Sequence, residues 1–279
     1  LTSSLAAKRR SASAVLAFAQ MERAPRSAMR IVVLLALTIA ASSYLLTLIA
    51  TKDTRTVDAA TFAVGADFSG PIPTGDSTKT FAALKTQYSH VSGVQSATLG
   101  YYANIETPDS VIRIEALDAD TYAHTALWTP QNSSQPLSVF TTQLVSHRTD
   151  ATTHDVVYAL VDSAMWQRYH LSVGERFSVP VTDTNSLHLS FIALAEVNTL
   201  PRLYDTPINP AGGIGMLVDY QSYVTAYTKA SGVSLTPNAL LLRTKSDAAS
   251  LASVRKAFPA LSDRRQLTID NQQNSVHLD

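Results

Sequence analysis

The chain has 279 residues, 46% hydrophobic and 16% charged, with 12 prolines, 10 glycines and no cysteine. That composition suits a folded protein and excludes collagen-like or wholly disordered classes. The missing cysteines remove disulfides, thiolate metal sites, iron–sulfur clusters and cysteine nucleophiles together, and a net charge of zero gives no argument for nucleic acid as a partner.

The zero is a sum of unequal parts. Residues 1–30 carry six basic side chains against Glu22 alone, a net +5, while the other 16 basic and 21 acidic residues give −5. The division falls where a long apolar run begins. Upstream of it, residues 3–21 have helix-forming composition, with Leu5, Val15, Leu16, Phe18 and Met21 beside a basic cluster. They read as an interfacial helix on the inner leaflet or as a disordered basic tail, and Pro25 separates them from the apolar run.

Ile31 to Ala50 is twenty residues without a charge. At about 1.5 Å per residue such a helix spans about 30 Å, the hydrocarbon thickness of a bilayer. Thr38, Ser42, Ser43 and Thr47 are compatible with it, because a hydroxyl bonds back to a carbonyl one turn earlier. Arg23, Arg26 and Arg30 form a basic flank on one side, whereas Lys52, Asp53, Arg55 and Asp58 cancel on the other. The positive-inside rule places residues 1–30 in the cytoplasm and residues 51–279 outside. A cleaved signal peptide has a shorter apolar region nearer the start of a chain. Ala36 and Ala40, one turn apart, either form a small-residue face for a neighbouring helix or simply reflect the abundance of alanine here.

Beyond the span, Thr51–Ala59 reads as a short link without Gly or Pro, and Ala60–Phe68 as a strand ended by Gly70-Pro71. Ser77 is a candidate cap for a helix to Tyr88 with Phe81, Leu84 and Tyr88 on one face. Val94–Asn104 and Ser110–Leu117 read as strands, the second alternating Val111, Arg113 and Glu115 with Ile112, Ile114 and Ala116. A short helix follows over Asp118–Trp128, then the polar stretch Thr129–Ser134. Asp155–Val161 is a strand, Ser163–Tyr169 a helix, and strands follow the Gly174-Glu175 turn and over Leu187–Val197. The last third reads Gly215–Val218 strand, Tyr220–Lys229 helix, Asn238–Thr244 strand, Ala248–Phe258 helix and Gln266–Asp270 strand. The fold class is α+β, with helices packed on mixed sheets. A βα-rich lobe over 51–130 and 206–279 is expected to carry an inserted strand-rich lobe over 131–205.

Nothing here reads as catalytic machinery. The histidines at 90, 124, 147, 154, 170, 188 and 277 form no tight ligand spacing. No GxSxG elbow marks a nucleophile. Gly212-Gly213-Ile214-Gly215 lacks both the P-loop lysine and the strand-before-helix setting of a dinucleotide fingerprint, and reads as a loop. Asp118, two residues before Asp120, caps or precedes a helix rather than forming an acid–base pair. Asn132-Ser133-Ser134 matches a glycosylation acceptor, a pattern short enough to arise by chance. The expectation is no enzyme, no cofactor and no metal.

The run ERAPRSAMRIVVLLALTIAASSYLLTLIATKDTRTVDAATFAVGADFSG resembles the start of a permease half in FtsX-like ABC transporters. It has the family's elbow (Arg23, Pro25, Arg26), the span, and a "VGAD" segment (Val64–Asp67) opening the domain. Ala159–Phe177 and Leu217-Val218-Asp219 resemble two further recurring blocks, so the likeness covers about residues 20–260. It implies a MacB-like periplasmic core with a porter-like lobe and an inserted lobe. It also implies a cytoplasmic ABC ATPase as partner, contact with membrane lipids, and further transmembrane helices or a second permease half. Family members have four or more spans and this chain has one; it opens on Leu1 rather than Met, and is expected to be a piece of a longer polypeptide. The alternatives are a single-pass anchored binding or sensor module and an anchored hydrolase, the last lacking a catalytic constellation.

Overall fold

The computed structural model describes residues 25–182, 187–201 and 214–276, with the backbone alone for 25–28 and 274–276. The chain divides into two units, Leu1–Arg55 and Thr56–Asp279. The first element is one helix, α1, Pro25–Val64, of 40 residues. Proline at its first position suits a helix start, where no N–H partner is needed.

The expected link Thr51–Ala59 and the strand expected over Ala60–Phe68 are therefore corrected: α1 runs through both to Val64. Ala59, Ala60 and Ala63 are strong helix formers, and adding a turn to a formed helix is far easier than starting one. Gly65 stops it, at φ 69°, with its N–H on the Thr61 carbonyl at 2.8 Å. The VGAD segment is thus a helix end and a bend, and the strand β1 begins only at Phe68.

The second unit is built on β1 (Phe68–Pro71), β2 (Val94–Thr107), β3 (Ser110–Leu117), β4 (Val157–Asp162), β5 (Arg176–Pro180), β6 (His188–Val197), β7 (Ile214–Asp219), β8 (Ala239–Thr244) and β9 (Ser262–Asp263). They form one nine-stranded mixed sheet in the order β5-β6-β4-β7-β3-β2-β8-β1-β9. Residues 131–205 supply the β5-β6-β4 end. The helices are α2 (Phe81–Ser89), α3 (Ala119–Thr125), α4 (Leu137–Ser146), α5 (Asp150–Thr153), α6 (Ser163–Arg168), α7 (Tyr220–Ser231), α8 (Ala248–Ala257) and α9 (Arg264–Val276).

Helices cover both faces of the sheet, so its strands are apolar on both sides. On one face Ile112, Ile114 and Ala116 of β3 and Met216 and Val218 of β7 pack under Met165 of α6 and Tyr223 of α7. Toward the other end Leu240 and Leu242 of β8 meet Leu84, Tyr88 and Val254 from α2 and α8. The opposite face buries Leu160, Leu217 and Leu241 beneath Tyr122 of α3 and Phe140 of α4.

Three local expectations change. Thr80, not Ser77, caps α2, its hydroxyl accepting the Ala83 N–H; Ser77 belongs to a 3₁₀ turn. The strand expected over Gln266–Asp270 lies inside α9. There Asp263 accepts the Arg265 and Gln266 N–H groups, and the Gln266 amide donates to Asp270 one turn on. Helix α4 was not anticipated. It follows Pro136 and buries Leu137, Phe140, Thr141 and Leu144 on one face.

Candidate functional site

Within the first unit, Ile31 to Ala50 lies inside α1 and is exposed along its whole length. Among the described residues this is the one helix long and apolar enough to cross a membrane. Both threonine hydroxyls of this apolar run are satisfied internally: Thr38 donates to the Leu34 and Leu35 carbonyls at 3.0 and 2.8 Å, and Thr47 to the Ser43 carbonyl at 2.8 Å. Such bonds let Thr sit in hydrocarbon without a bare polar group. Ala36 and Ala40 are exposed one turn apart on this helix, as is Arg30 near its start. Arg23 lies outside the described residues, and for Arg26 only the backbone is described.

The last turns of α1 belong to the sheet unit. Ala60 and Val64 are fully buried there. The Leu127 N–H bonds the Gly65 carbonyl at 2.8 Å, and the Gln131 amide donates to Asp58 Oδ2 at 2.8 Å. Asn132 holds the neighbouring loop. Its Oδ1 accepts from the Thr129 N–H and hydroxyl, both at 2.9 Å, and its Nδ2 donates to the Thr199 carbonyl. Buried and hydrogen-bonded through both its Oδ1 and its Nδ2, Asn132 is a loop anchor.

Just past Gly65, Asp67 joins three parts of the chain. Its Oδ2 accepts the Thr244 N–H at 3.1 Å and the Thr244 hydroxyl, and its Oδ1 pairs with Arg264 Nη2 at 3.3 Å. The Arg264 N–H also bonds the Asp67 carbonyl at 3.0 Å. The residues following α1 and those opening α9 are therefore fastened side by side.

Two clusters of charge lie deeper. The parallel strands β3 and β7 run in register, Leu117 beside Asp219, so Asp118 and Asp219 meet at their carboxyl ends. Arg148, just beyond α4, spans them. Its Nε and Nη2 donate to Asp219 at 2.9 and 2.8 Å and its Nη1 to Asp120 at 3.0 Å. Lys85 of α2 donates to Asp118 at 2.6 Å. Asp219 also caps α7 through the Ser222 N–H. Asp118 and Asp120 thus serve as ion-pair partners of Lys85 and Arg148, and Asp118 precedes α3 without capping it through its side chain, the second of the two alternatives expected.

The second cluster lies on the face under α3. Arg113 Nε approaches Glu115 Oε1 at 2.8 Å, and Arg113 Nη2 stands 3.9 Å from Asp162. The Arg113–Glu115 contact is close, but the N–H does not aim at the oxygen, and neither Glu115 oxygen has a hydrogen bond among the described residues. Burial pushes Glu115 up to about 7, with Arg113 pulling the other way. The alternation read in β3 gave the correct faces; that its charged face is buried was not legible from one strand.

The histidines are dispersed. His90 Nδ1 lies 2.7 Å from the Thr86 carbonyl, His147 stacks on Tyr158 at 3.8 Å, and His147 and His154 both face Asp150. His277 lies outside the described residues, as do Gly212 and Gly213; Ile214 and Gly215 open β7. Among the described residues no group of three or more His, Asp or Glu could hold a metal ion.

No family model and no curated protein matches the chain. Solved structures do. One is the extracellular domain of the noncanonic ABC-type transporter YknZ from Gram-positive bacteria: TM-score 0.38 and 11% identity, covering 75% of this chain and 95% of that one. Another is the periplasmic region of MacB from Actinobacillus actinomycetemcomitans: TM-score 0.38 and 10% identity, covering 75% and 94%. The chain is similar to both. The α+β class, one apolar helix ahead of a sheet-rich domain, is the class observed.

Proposed function

We propose that the chain is part of a permease subunit of an FtsX- or MacB-like ABC transporter and not an enzyme. In this reading a separate cytoplasmic ATPase drives motion that reaches the sheet domain on the far side of the membrane. The arginine-rich start faces the cytoplasm, α1 crosses the bilayer among lipids, and Ala36 and Ala40 meet a further transmembrane helix or a second permease half. The work done is export, or the handling of a lipid, lipoprotein or peptide.

One observation carries the reading: α1 has no break between its twenty-residue apolar span and Ala60 and Val64, which the sheet domain buries. A continuous helix passes displacement along its axis, whereas a Gly- or Pro-rich link absorbs it. The test is purification from native membranes with mass spectrometry of the proteins that co-purify, alongside protease treatment of intact cells. The reading expects an ABC-type ATPase in the preparation and digestion of the sheet domain from outside. A preparation without such an ATPase, or a protected sheet domain, defeats it.

A single-pass binding or sensor module is the second reading. In its favour is an open groove of about 690 Å³ lined by Lys85, Ser89, His90, Ser96, Thr121 and His124. It expects a small ligand to bind this groove in a preparation free of any ATPase.

A further inference from the structure

The cluster of Arg113, Glu115 and Asp162 plays no part in the membrane reading. The three side chains are 8%, 0% and 8% exposed, and their charges do not balance: two carboxylates share one guanidinium. A buried charge without a partner is unfavourable enough that the group takes up or gives up a proton instead.

Which carboxylate takes the proton depends on their partners. Burial raises the Asp162 carboxyl as well, but Asp162 caps α6, its Oδ1 accepting the Met165 N–H at 2.8 Å, and that bond, Arg113 and the N–H groups of Gly215 and Ala164 all favour its ionised form. Three backbone donors suit an anion. Among the described residues Glu115 has no such donors. On its own strand it faces Arg113; from the β4–α6 junction it faces the negative Asp162. From α3 comes the Tyr122 phenol, which burial keeps protonated. Its register partners are Tyr102 on β2 and the apolar Leu217 on β7. Arg113 and Asp162 are the charges that act on it; the pull of Arg113 is the larger of the two, and burial outweighs it.

We propose that this cluster is a proton-binding site within the sheet: Glu115 holds a proton in mildly acidic surroundings. It releases that proton as the surroundings turn neutral and then alkaline, leaving surplus negative charge beside β3. The site answers to the pH of whichever compartment bathes the domain, so it stands apart from the transporter reading.

The direction of the effect is set by linkage. Burial raises Glu115 from 4.5 to about 7 in the folded chain. Between those values the unfolded chain gives up the proton while the folded chain keeps it, so stability falls as pH rises across that window. Below it the contribution is fully present; above it the loss is complete. Over the whole window a gap of this size corresponds to about a three-hundredfold change in the unfolding constant, of which about a hundredfold falls between about pH 5 and about pH 8.

The test is urea unfolding of the full chain in detergent, followed by the fluorescence of Trp128 and Trp166, at about pH 5 and about pH 8. Wild type is compared with Glu115→Gln, a neutral side chain of the same shape; histidine titration is common to both and cancels in the difference. The variant is expected to gain on wild type by about a hundredfold in the unfolding constant between the two pH values. Parallel profiles would overturn the proposal. Should the variant fail to fold, infrared spectra of wild type labelled at its glutamates decide instead. A protonated carboxyl signal that disappears with a midpoint near 7 supports the site; its absence at about pH 5 overturns it.

Discussion

Replacing Arg148 by methionine keeps the unbranched stem of the side chain and deletes its charge. The guanidinium is only partly exposed, while Asp219 and Asp118 beneath it are each about 1% exposed. Removing one member of a buried ion pair strands the other, at a cost of about 3–5 kcal/mol. Two features pull the value to the lower end. Asp219 keeps the Ser222 N–H and hydroxyl, both at 3.1 Å, and Asp118 keeps Lys85 at 2.6 Å. The bond to exposed Asp120 adds little, since surface pairs contribute about 0–1 kcal/mol. A loss of about 3 kcal/mol is therefore expected, which lowers the urea midpoint by about 1–1.5 M for a domain of this size. Arg148→Met combined with Asp219→Asn removes the stranded charge, so the pair should lose less than the sum of the two single changes. A single variant within about 0.5 kcal/mol of wild type, the range of ordinary surface substitutions, would refute the reasoning.

Gly215→Ala places a Cβ 2.8 Å from Arg113 Nη2 and 2.9 Å from Asp162 Oδ2; overpacking of this kind costs about 1–3 kcal/mol, measured as a lowered melting temperature by circular dichroism. Tyr88→Phe removes the 2.7 Å hydroxyl bond to Asp76, with an expected loss of about 1.5 kcal/mol. The Lys79 hydrogen bond and then the Tyr88 hydroxyl hold Asp76 below its ordinary 3.8. Its stabilisation is therefore present above that value and lost as pH falls through the lowered one. The variant should titrate at higher pH by carboxyl NMR and lose less stability on acidification. Ala36→Ile and Ala40→Ile put branched side chains on a face that is to approach another helix. Weaker association in detergent, read by cross-linking, is expected; unchanged association assigns that face to lipid.

The elements that were legible are those where one signal dominated. The span announced itself by twenty uncharged residues, and β3 by strict alternation. The strand-to-helix junctions at Asp162 and Asp219 were visible because a buried strand ends in a capping residue. The errors share a physical cause. Ala60–Phe68 is apolar enough for a strand, and only the helix already formed upstream decides against it. Leu267 and Ile269 alternate like a strand, but the Asp263 cap and the Gln266–Asp270 pair close a helix over them. The charged clusters were hidden for a different reason. Arg148 meets Asp219 across 71 residues and Arg113 meets Asp162 only through the β3–β7–β4 order, and no local pattern encodes a strand order.

That strand order also bears on how the protein is made. Among the described residues β1 pairs only with β8 and β9, Ser69 lying opposite Leu241 and Ser262. Made before the other eight strands of this sheet, β1 therefore waits, its edges open, until β8 and β9 have been synthesised. Assembly that depends on such distant contacts is slow, and a waiting strand edge invites mispairing between nascent chains. Shortening the chain before Ala239 would leave β1 without any neighbour, and the truncated product is expected to accumulate as aggregate.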